Sequence, residues 1–215
     1  MRKLNLSQYD YSNLLDEILR ILMKRGIKTT TMDDIAISLS ISKRTLYEIF
    51  SSKNIMAAEA MSRFHQNLLD HNIEFQKQSP SVIHSIIMSF IHYREILLSM
   101  NVDFLRDFDA LPPEVKNIAS EAENNYMMNF YSLLDQAAEK GYIRDNLDYR
   151  LLFRITQVQF TLVKCREEMF PPDITLLQVY DATASGFCRC ILSQKGLEIL
   201  TEAHSYFKLH PKISV

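Results

Sequence analysis

Between Thr31 and Lys53 the chain gathers side chains suited to meeting a nucleic-acid duplex: Thr31, Ser42, Lys43, Arg44, Thr45, Tyr47 and Lys53. Ser42 stands before Lys43-Arg44-Thr45 as a helix N-cap, and the free amides of that helix start favour a phosphate oxygen; Thr31 offers the same one helix earlier. Lys43, Arg44 and Thr45 fall in a first helical turn, from which side chains reach base edges. An arginine there can take guanine O6 and N7 together, worth about 1–3 kcal/mol of discrimination. Tyr47 and Lys53 are placed for phosphates, which set register without carrying sequence information. Each residue alone has a plainer role: caps simply cap, and a Lys-Arg pair is most often a solvated face. Only the complete pattern singles them out.

Other chemistries fare worse. His84 and His92 are eight residues apart, about 12 Å along a single helix, too far for both to hold one ion from that helix. Cys188 and Cys190 lack the two-residue spacing of zinc knuckles and point about 200° apart on a helix, so packing is their expected role. No nucleophile elbow, phosphate loop, dinucleotide fingerprint or deaminase signature is present, which argues against an enzyme. Neither a cofactor nor a metal is expected.

The elements that would position the basic residues are short. Leu14, Leu15, Ile18, Ile21 and Leu22 share one face of a helix over residues 11–25, which Gly26 closes. Thr31 with Asp34 makes a capping-box-like start for a helix of about seven residues; Ser40 and Ile41 interrupt it, and Ser42 starts another of equal length. Two brief helices joined by a tight turn form the helix-turn-helix unit, whose second helix enters the major groove. Ile35, Ala36, Leu39, Ile41, Leu46 and Phe50 fit as its small core. Beyond Ser52 the periodicity predicts long helices over 53–77, 81–99, 113–140, 148–169 and 174–194, with a short piece at 103–108. Pro80, Pro112 with Pro113, Gly141, Pro171 with Pro172, and Gly196 punctuate them.

The run from Gly26 to Met56, GIKTTTMDDIAISLSISKRTLYEIFSSKNIM, resembles the DNA-binding segment of the TetR family of bacterial repressors. In that family a Gly closes helix one and a Thr or Ser caps helix two ahead of an Ile-Ala pair. Helix three carries Thr-Leu-Tyr and then Phe, and a Lys follows three residues later. Gly26, Thr31, Ile35, Ala36, Thr45, Leu46, Tyr47, Phe50 and Lys53 stand in register with it. Two positions depart from the pattern. Leu39-Ser40 replaces the usual Ala-Gly, so the turn must form without glycine's freedom at positive φ. Arg44 replaces a small residue or Pro, which should alter base preference, so the family's operators do not carry over.

Composition agrees with an all-α chain: 47% of residues are hydrophobic and there are only four Gly and six Pro. Residues 1–55 hold nine Lys or Arg against six Asp or Glu, whereas the remainder holds 15 against 20. The basic excess therefore lies where a duplex would be met. The start lacks a signal peptide's apolar run and no stretch is long enough to span a membrane, so a cytoplasmic location without membrane association is expected. Three cysteines, Cys165, Cys188 and Cys190, suit a reducing compartment.

The fold class expected is thus all-α. An N-terminal three-helix DNA-binding domain with a helix-turn-helix occupies residues 1–55, and a helical bundle for ligand binding and dimerisation occupies 56–215. The TetR resemblance implies double-stranded DNA with a palindromic operator as partner, an unidentified small-molecule effector, and a homodimer. It further implies a ligand cavity, for which Phe64, Leu68, Phe90, Tyr93, Phe108, Tyr126, Phe130 and Gln157 are candidate lining residues, although aromatic stripes at helical spacing are most often plain core. Dimerisation is expected on the last two long helices, through Val158, Thr161, Leu162 and Cys165 on one and Tyr180, Ala184, Phe187, Cys188 and Ile191 on the other, with Gly186 permitting close approach. An all-α metabolite-binding protein or enzyme with a vestigial DNA-binding domain is the rival reading.

Overall fold

In the computed structural model the described residues are 8–101, 103–163, 170–171 and 173–209, and they form ten α-helices, with one isolated bridge between Ile143 and Leu192. The helices are α1 (Gln8–Arg25), α2 (Met32–Ser38), α3 (Lys43–Ile49), α4 (Lys53–Gln78), α5 (Val82–Ser99), α6 (Asp103–Asp109) and α7 (Pro113–Glu139). They continue as α8 (Tyr149–Val163), α9 (Leu176–Ile191) and α10 (Gln194–Leu209). No described helix is long and apolar enough to cross a membrane. The expected end of the helix at 164–169, Cys165, Pro172 and the tail from 210 lie outside the described residues, as do the side chains of Thr161 and Leu162.

The chain packs as two compact units. One comprises residues up to Asn67 together with Ser99–Tyr126, and the other comprises Leu68–Leu98 and the chain from Met127 onward. The boundary expected after residue 55 is that of a motif, and the unit built around the motif is larger. Helix α6 packs on α1, the Asn101 amide donates to the Met23 carbonyl at 2.7 Å, and buried Asp107 accepts from the Lys28 amide at 2.7 Å. These contacts join residues some 80 positions apart, beyond the reach of local periodicity.

Within the first unit α1 is fixed to α4. Arg63 grips Asp16 through two nitrogens, at 2.7 and 2.8 Å, and Asn67 adds a third bond at 3.0 Å. Burial acts to raise the Asp16 pKa, but these bonds outweigh it and hold the carboxyl below its usual value. Gly26 ends α1 at φ 88°, as a C-cap should. The α2–α3 turn is made by Ser40 at φ 55°, the one non-glycine residue with positive φ among the described residues. A side chain in this left-handed region costs about 1–2 kcal/mol, part of which glycine's greater unfolded-state entropy would return. Ser40→Gly should therefore stabilise the chain by about 0.5–1 kcal/mol, read from its urea midpoint at unchanged slope. A lower midpoint would remove the strain argument.

The second unit is built on an aromatic and aliphatic core. Phe130 stacks on Phe153 at 4.4 Å, Phe90 meets Phe130 edge-on at 5.6 Å, and Phe187 closes the group at 5.5 Å from Phe153. Val82, Ile83, Ile86, Leu133, Leu134, Ile143 and Ile191 surround them. At its border His71 and His92 bring their rings to 4.2 Å; burial, and secondarily His71, pushes His92 down to about 4.

Sequence patterning misplaced one element. Gly196 was expected to mark a break after the helix at 174–194, yet it sits in the first turn of α10, where Ser193 caps the helix through a 3.2 Å bond from the Gly196 amide. A Cβ at Gly196 would lie 2.3 Å from the Tyr142 carbonyl oxygen. The glycine is there for close approach, which reads in sequence like a break.

Candidate nucleic-acid interface

Each cap expected in the helix-turn-helix is formed. Thr31 Oγ1 accepts from the Asp34 amide at 3.1 Å while Asp34 accepts from the Thr31 amide at 2.9 Å, a complete capping box. Ser42 Oγ accepts from the Thr45 amide at 2.9 Å and lies 2.8 Å from the Thr45 hydroxyl. These caps fix where α2 and α3 start, and hence which residues face inward. Ile35, Leu46 and Phe50 are fully buried, as Ala36 nearly is, whereas Leu39 and Ile41 are only half-buried. The Tyr11 ring of α1 packs 6.0 Å from Phe50.

With Leu46 and Phe50 turned inward, the opposite side of α3 presents Lys43, Arg44 and Tyr47 to solvent, Tyr47 being 47% exposed. The cations are not idle. Lys43 Nζ bonds Asp33 of α2 at 2.8 Å, which raises the lysine pKa first through that bond, and Arg44 Nε bonds Glu48 at 3.0 Å. Exposed pairs of this kind are worth at most about 1 kcal/mol, so a phosphate or guanine can displace the acid. Sequence reasoning missed both acids. Glu48 four residues after Arg44 was a visible helical pair; the Asp33–Lys43 pair, across the turn, was not. It also missed Ile37, 77% exposed on α2.

Lys53 is built differently from the other basic residues. Its ammonium donates to the carbonyls of Ile27 at 3.0 Å, Lys28 at 3.4 Å and Thr30 at 3.1 Å. It thereby ties the first turn of α4 to the segment that ends in the Thr31 cap. Asp107 holds the same segment through the Lys28 amide. Lys53 positions the helix-turn-helix as well as offering charge near it.

The eight candidate ligand residues are divided between the units. In the first, Phe64 lies edge-on to Phe104 at 6.5 Å, Tyr126 stacks with His65 at 6.5 Å, and Phe108 is half-buried. In the second, Leu68 is buried, Phe90 and Phe130 belong to the packed aromatic core, and Tyr93 stacks on Tyr180 at 5.8 Å. Gln157 donates to Met127 Sδ at 2.7 Å.

The second unit also carries a groove of about 510 Å³ on the outer face of α8 and α9, lined by Leu152, Ile155, Thr156, Gln159, Phe170, Val179, Ala182, Thr183, Gly186, Phe187 and Cys190. None of the eight candidates lines it. Leu151, Ile155 and Val158 of α8 are exposed to 55%, 46% and 55%. This corrects the apolar face expected on α9. Tyr180, Ala184, Cys188 and Ile191 are buried in the chain's own core, Phe187 lines the groove at 5% exposure, and the outer face is Val179, Ala182, Thr183, Gly186 and Cys190. Both faces contain apolar residues at helical spacing, so periodicity could not say which was inner. A Cβ at Gly186 would meet nothing within 4 Å, so this glycine serves no close approach among the described residues. Burial pushes the Cys188 thiol up to about 12, leaving it inert packing, while Cys190 is exposed.

The geometry agrees with comparison to known proteins. The family model described as bacterial regulatory proteins, tetR family, matches residues 14–60, from within α1 to the first turns of α4. No curated protein matches the chain in sequence. Among solved structures it is similar to the ketosteroid transcriptional regulator KstR2 of Mycobacterium tuberculosis, with TM-score 0.52 and 19% identity over 90% of this chain and 100% of that one. FadR of Bacillus subtilis, a transcriptional regulator solved with stearoyl-CoA, gives TM-score 0.60 and 14% identity over 82% and 97%. SmeT, the repressor of a Stenotrophomonas maltophilia multidrug efflux pump, gives 0.61 and 16% over 84% and 89%. The capped helix-turn-helix thus lies in a segment that matches the model of the bacterial tetR-family regulatory proteins, and the chain as a whole has the fold of these regulators.

Proposed function

We propose that the chain is a homodimeric repressor that binds a palindromic operator through α3 and is released by a small-molecule effector. The observation that carries this reading is the two-sided α3, with Leu46 and Phe50 buried behind it and Lys43, Arg44 and Tyr47 exposed in front, held by caps at Thr31 and Ser42. Thr31, Ser42 and Tyr47 serve phosphates, with Lys53 close by, while Lys43, Arg44 and Thr45 serve base edges.

A dimer is supported by the exposed apolar rows on α8 and α9, since a soluble monomer rarely leaves such a face open. A twofold also places two recognition helices about 34 Å apart, one helical turn of duplex. An effector is supported by FadR, solved with stearoyl-CoA. The effector acts only through its differential affinity for two arrangements of the dimer. Helix α4 is the natural lever, because it is one continuous helix from Lys53, which grips the α1–α2 turn, to Gln78. A cytoplasmic site of action follows from this reading.

The test is a selection of bound duplexes from a random pool by the wild type, followed by Arg44→Ala and Tyr47→Phe. Arg44→Ala should change base preference at one position of each half-site, at about 1–3 kcal/mol. Tyr47→Phe should weaken all duplexes alike. Uniform weakening by Arg44→Ala would reassign it to phosphate, and a selection that returns no common sequence would remove the repressor reading.

A further inference from the structure

Two histidines on neighbouring helices of the second unit meet with no hydrogen-bond partner among the described residues. His71 of α4 and His92 of α5 place their ring centroids 4.2 Å apart at 47°, and the Phe75 ring lies 6.0 Å from His71 and 5.7 Å from His92. Both side chains are half-buried, their rings meet one another and Phe75, and neither imidazole forms a hydrogen bond among the described residues. Ring nitrogens that no described protein group occupies are open to water or to an ion. Imidazole is the commonest protein ligand for metals. Metal–nitrogen bonds of about 2.0–2.1 Å mean that two nitrogens on one ion stand no more than about 4 Å apart. Two rings already in contact reach that arrangement by rotation about their side-chain bonds, with the helices where they are.

The sequence supplies a carboxylate to each. Glu74 follows His71 by three residues and Glu95 follows His92 by three, so the same His-x-x-Glu order stands on both helices. Residues three apart are neighbours on a helix surface. Both glutamates are exposed. Glu74 is held by Gln78 at 2.5 Å and by Lys77 at 3.7 Å, surface contacts that yield readily.

We propose that His71 and His92 form a site for one divalent transition-metal ion, completed by the carboxylate of Glu74 or Glu95 and by water. Two imidazoles with one carboxylate select Zn²⁺, Ni²⁺ or Cu²⁺ over Mg²⁺ and Ca²⁺, which prefer all-oxygen surroundings. No set of three or more His, Cys, Asp or Glu stands ready as ligands among the described residues, so the third ligand swings in when the ion binds. His92 is eight residues from His84, too far for a site on one helix; its partner comes from the neighbouring helix instead.

Calorimetric titration of the tag-free full chain with ZnCl₂ tests this. One equivalent should bind, and MgCl₂ at the same concentration should not. His71→Phe and His92→Phe, which keep a ring in place, should each weaken Zn²⁺ at least tenfold, whereas Cys190→Ser should leave it unchanged. Circular dichroism confirms that the variants are folded. Should either fail to fold, electron paramagnetic resonance of the wild type with one equivalent of Cu²⁺ decides instead, since the site requires coupling to two imidazole nitrogens. Absence of stoichiometric Zn²⁺ binding, retention of it in both histidine variants, or a Cu²⁺ spectrum without two nitrogens overturns the site. If neither Glu74→Gln nor Glu95→Gln lowers affinity, the carboxylate assignment falls.

Discussion

Val158→Glu and Ala182→Glu should turn a micromolar dimer into a folded monomer. Val158 is 55% exposed on the outer face of α8, and Ala182 lines the α8–α9 groove. A twofold would bury each new carboxylate twice without a partner, at several kcal/mol. Sedimentation should report half the wild-type mass, with thermal unfolding shifted by only a few degrees. Operator affinity should fall at least a hundredfold, because one half-site supplies only part of the contacts. Ile191→Glu provides the contrast. Ile191 is 1% exposed in the protomer's own core, so the charge and the lost packing together should cost more than about 4 kcal/mol and unfold the second unit at any concentration. A wild type that sediments as a monomer, or a dimer indifferent to both outer substitutions, would remove this interface.

Lys53→Met should weaken binding to every duplex and also lower stability, by about 2 kcal/mol. The methionine keeps the stem but removes three bonds, to the carbonyls of Ile27, Lys28 and Thr30. Bonds to a charged group are worth about 1.5–3 kcal/mol, and partial exposure of these carbonyls places the sum of three near the value for one buried bond. The segment they hold leads directly to the Thr31 cap, so loosening it spreads the orientations of α2 and α3. Base preference in a selection should survive, because no base-reading residue is touched. Lys53→Met with wild-type stability and weakened binding would instead make Lys53 purely a phosphate contact.

The helix-turn-helix was legible because its determinants are local. Thr31 with Asp34, Ser42 with Thr45, and the alternation of Leu46 and Phe50 with Arg44 and Tyr47 all act within one or two turns. The second unit was legible as helices but not as a packing. Phe187 and Ile191 share a face that suits either a core or an interface, and only the position of Phe130 and Phe153 decides between them. Gly196 shows the same limit: a glycine that ends a helix and one that lets a backbone pass are identical in sequence. Lys53 was recognised as important, yet its carbonyl partners lie 23 to 26 residues upstream, in a segment without periodicity.

The acid partners on the recognition surface bear on how such a protein finds one site among many. Asp33 with Lys43 and Glu48 with Arg44 offset the charge of these two cations in the unbound state. Random duplex offers only its backbone, and attraction to it grows with the number of free cations. Here each cation must first leave a carboxylate, which then faces a phosphate unless the register is right. A duplex that supplies a base edge to Arg44 repays that loss, and one that does not is repelled by Glu48. The two pairs therefore weaken casual contact more than correct contact, widening the ratio between operator and background that governs occupancy in a genome.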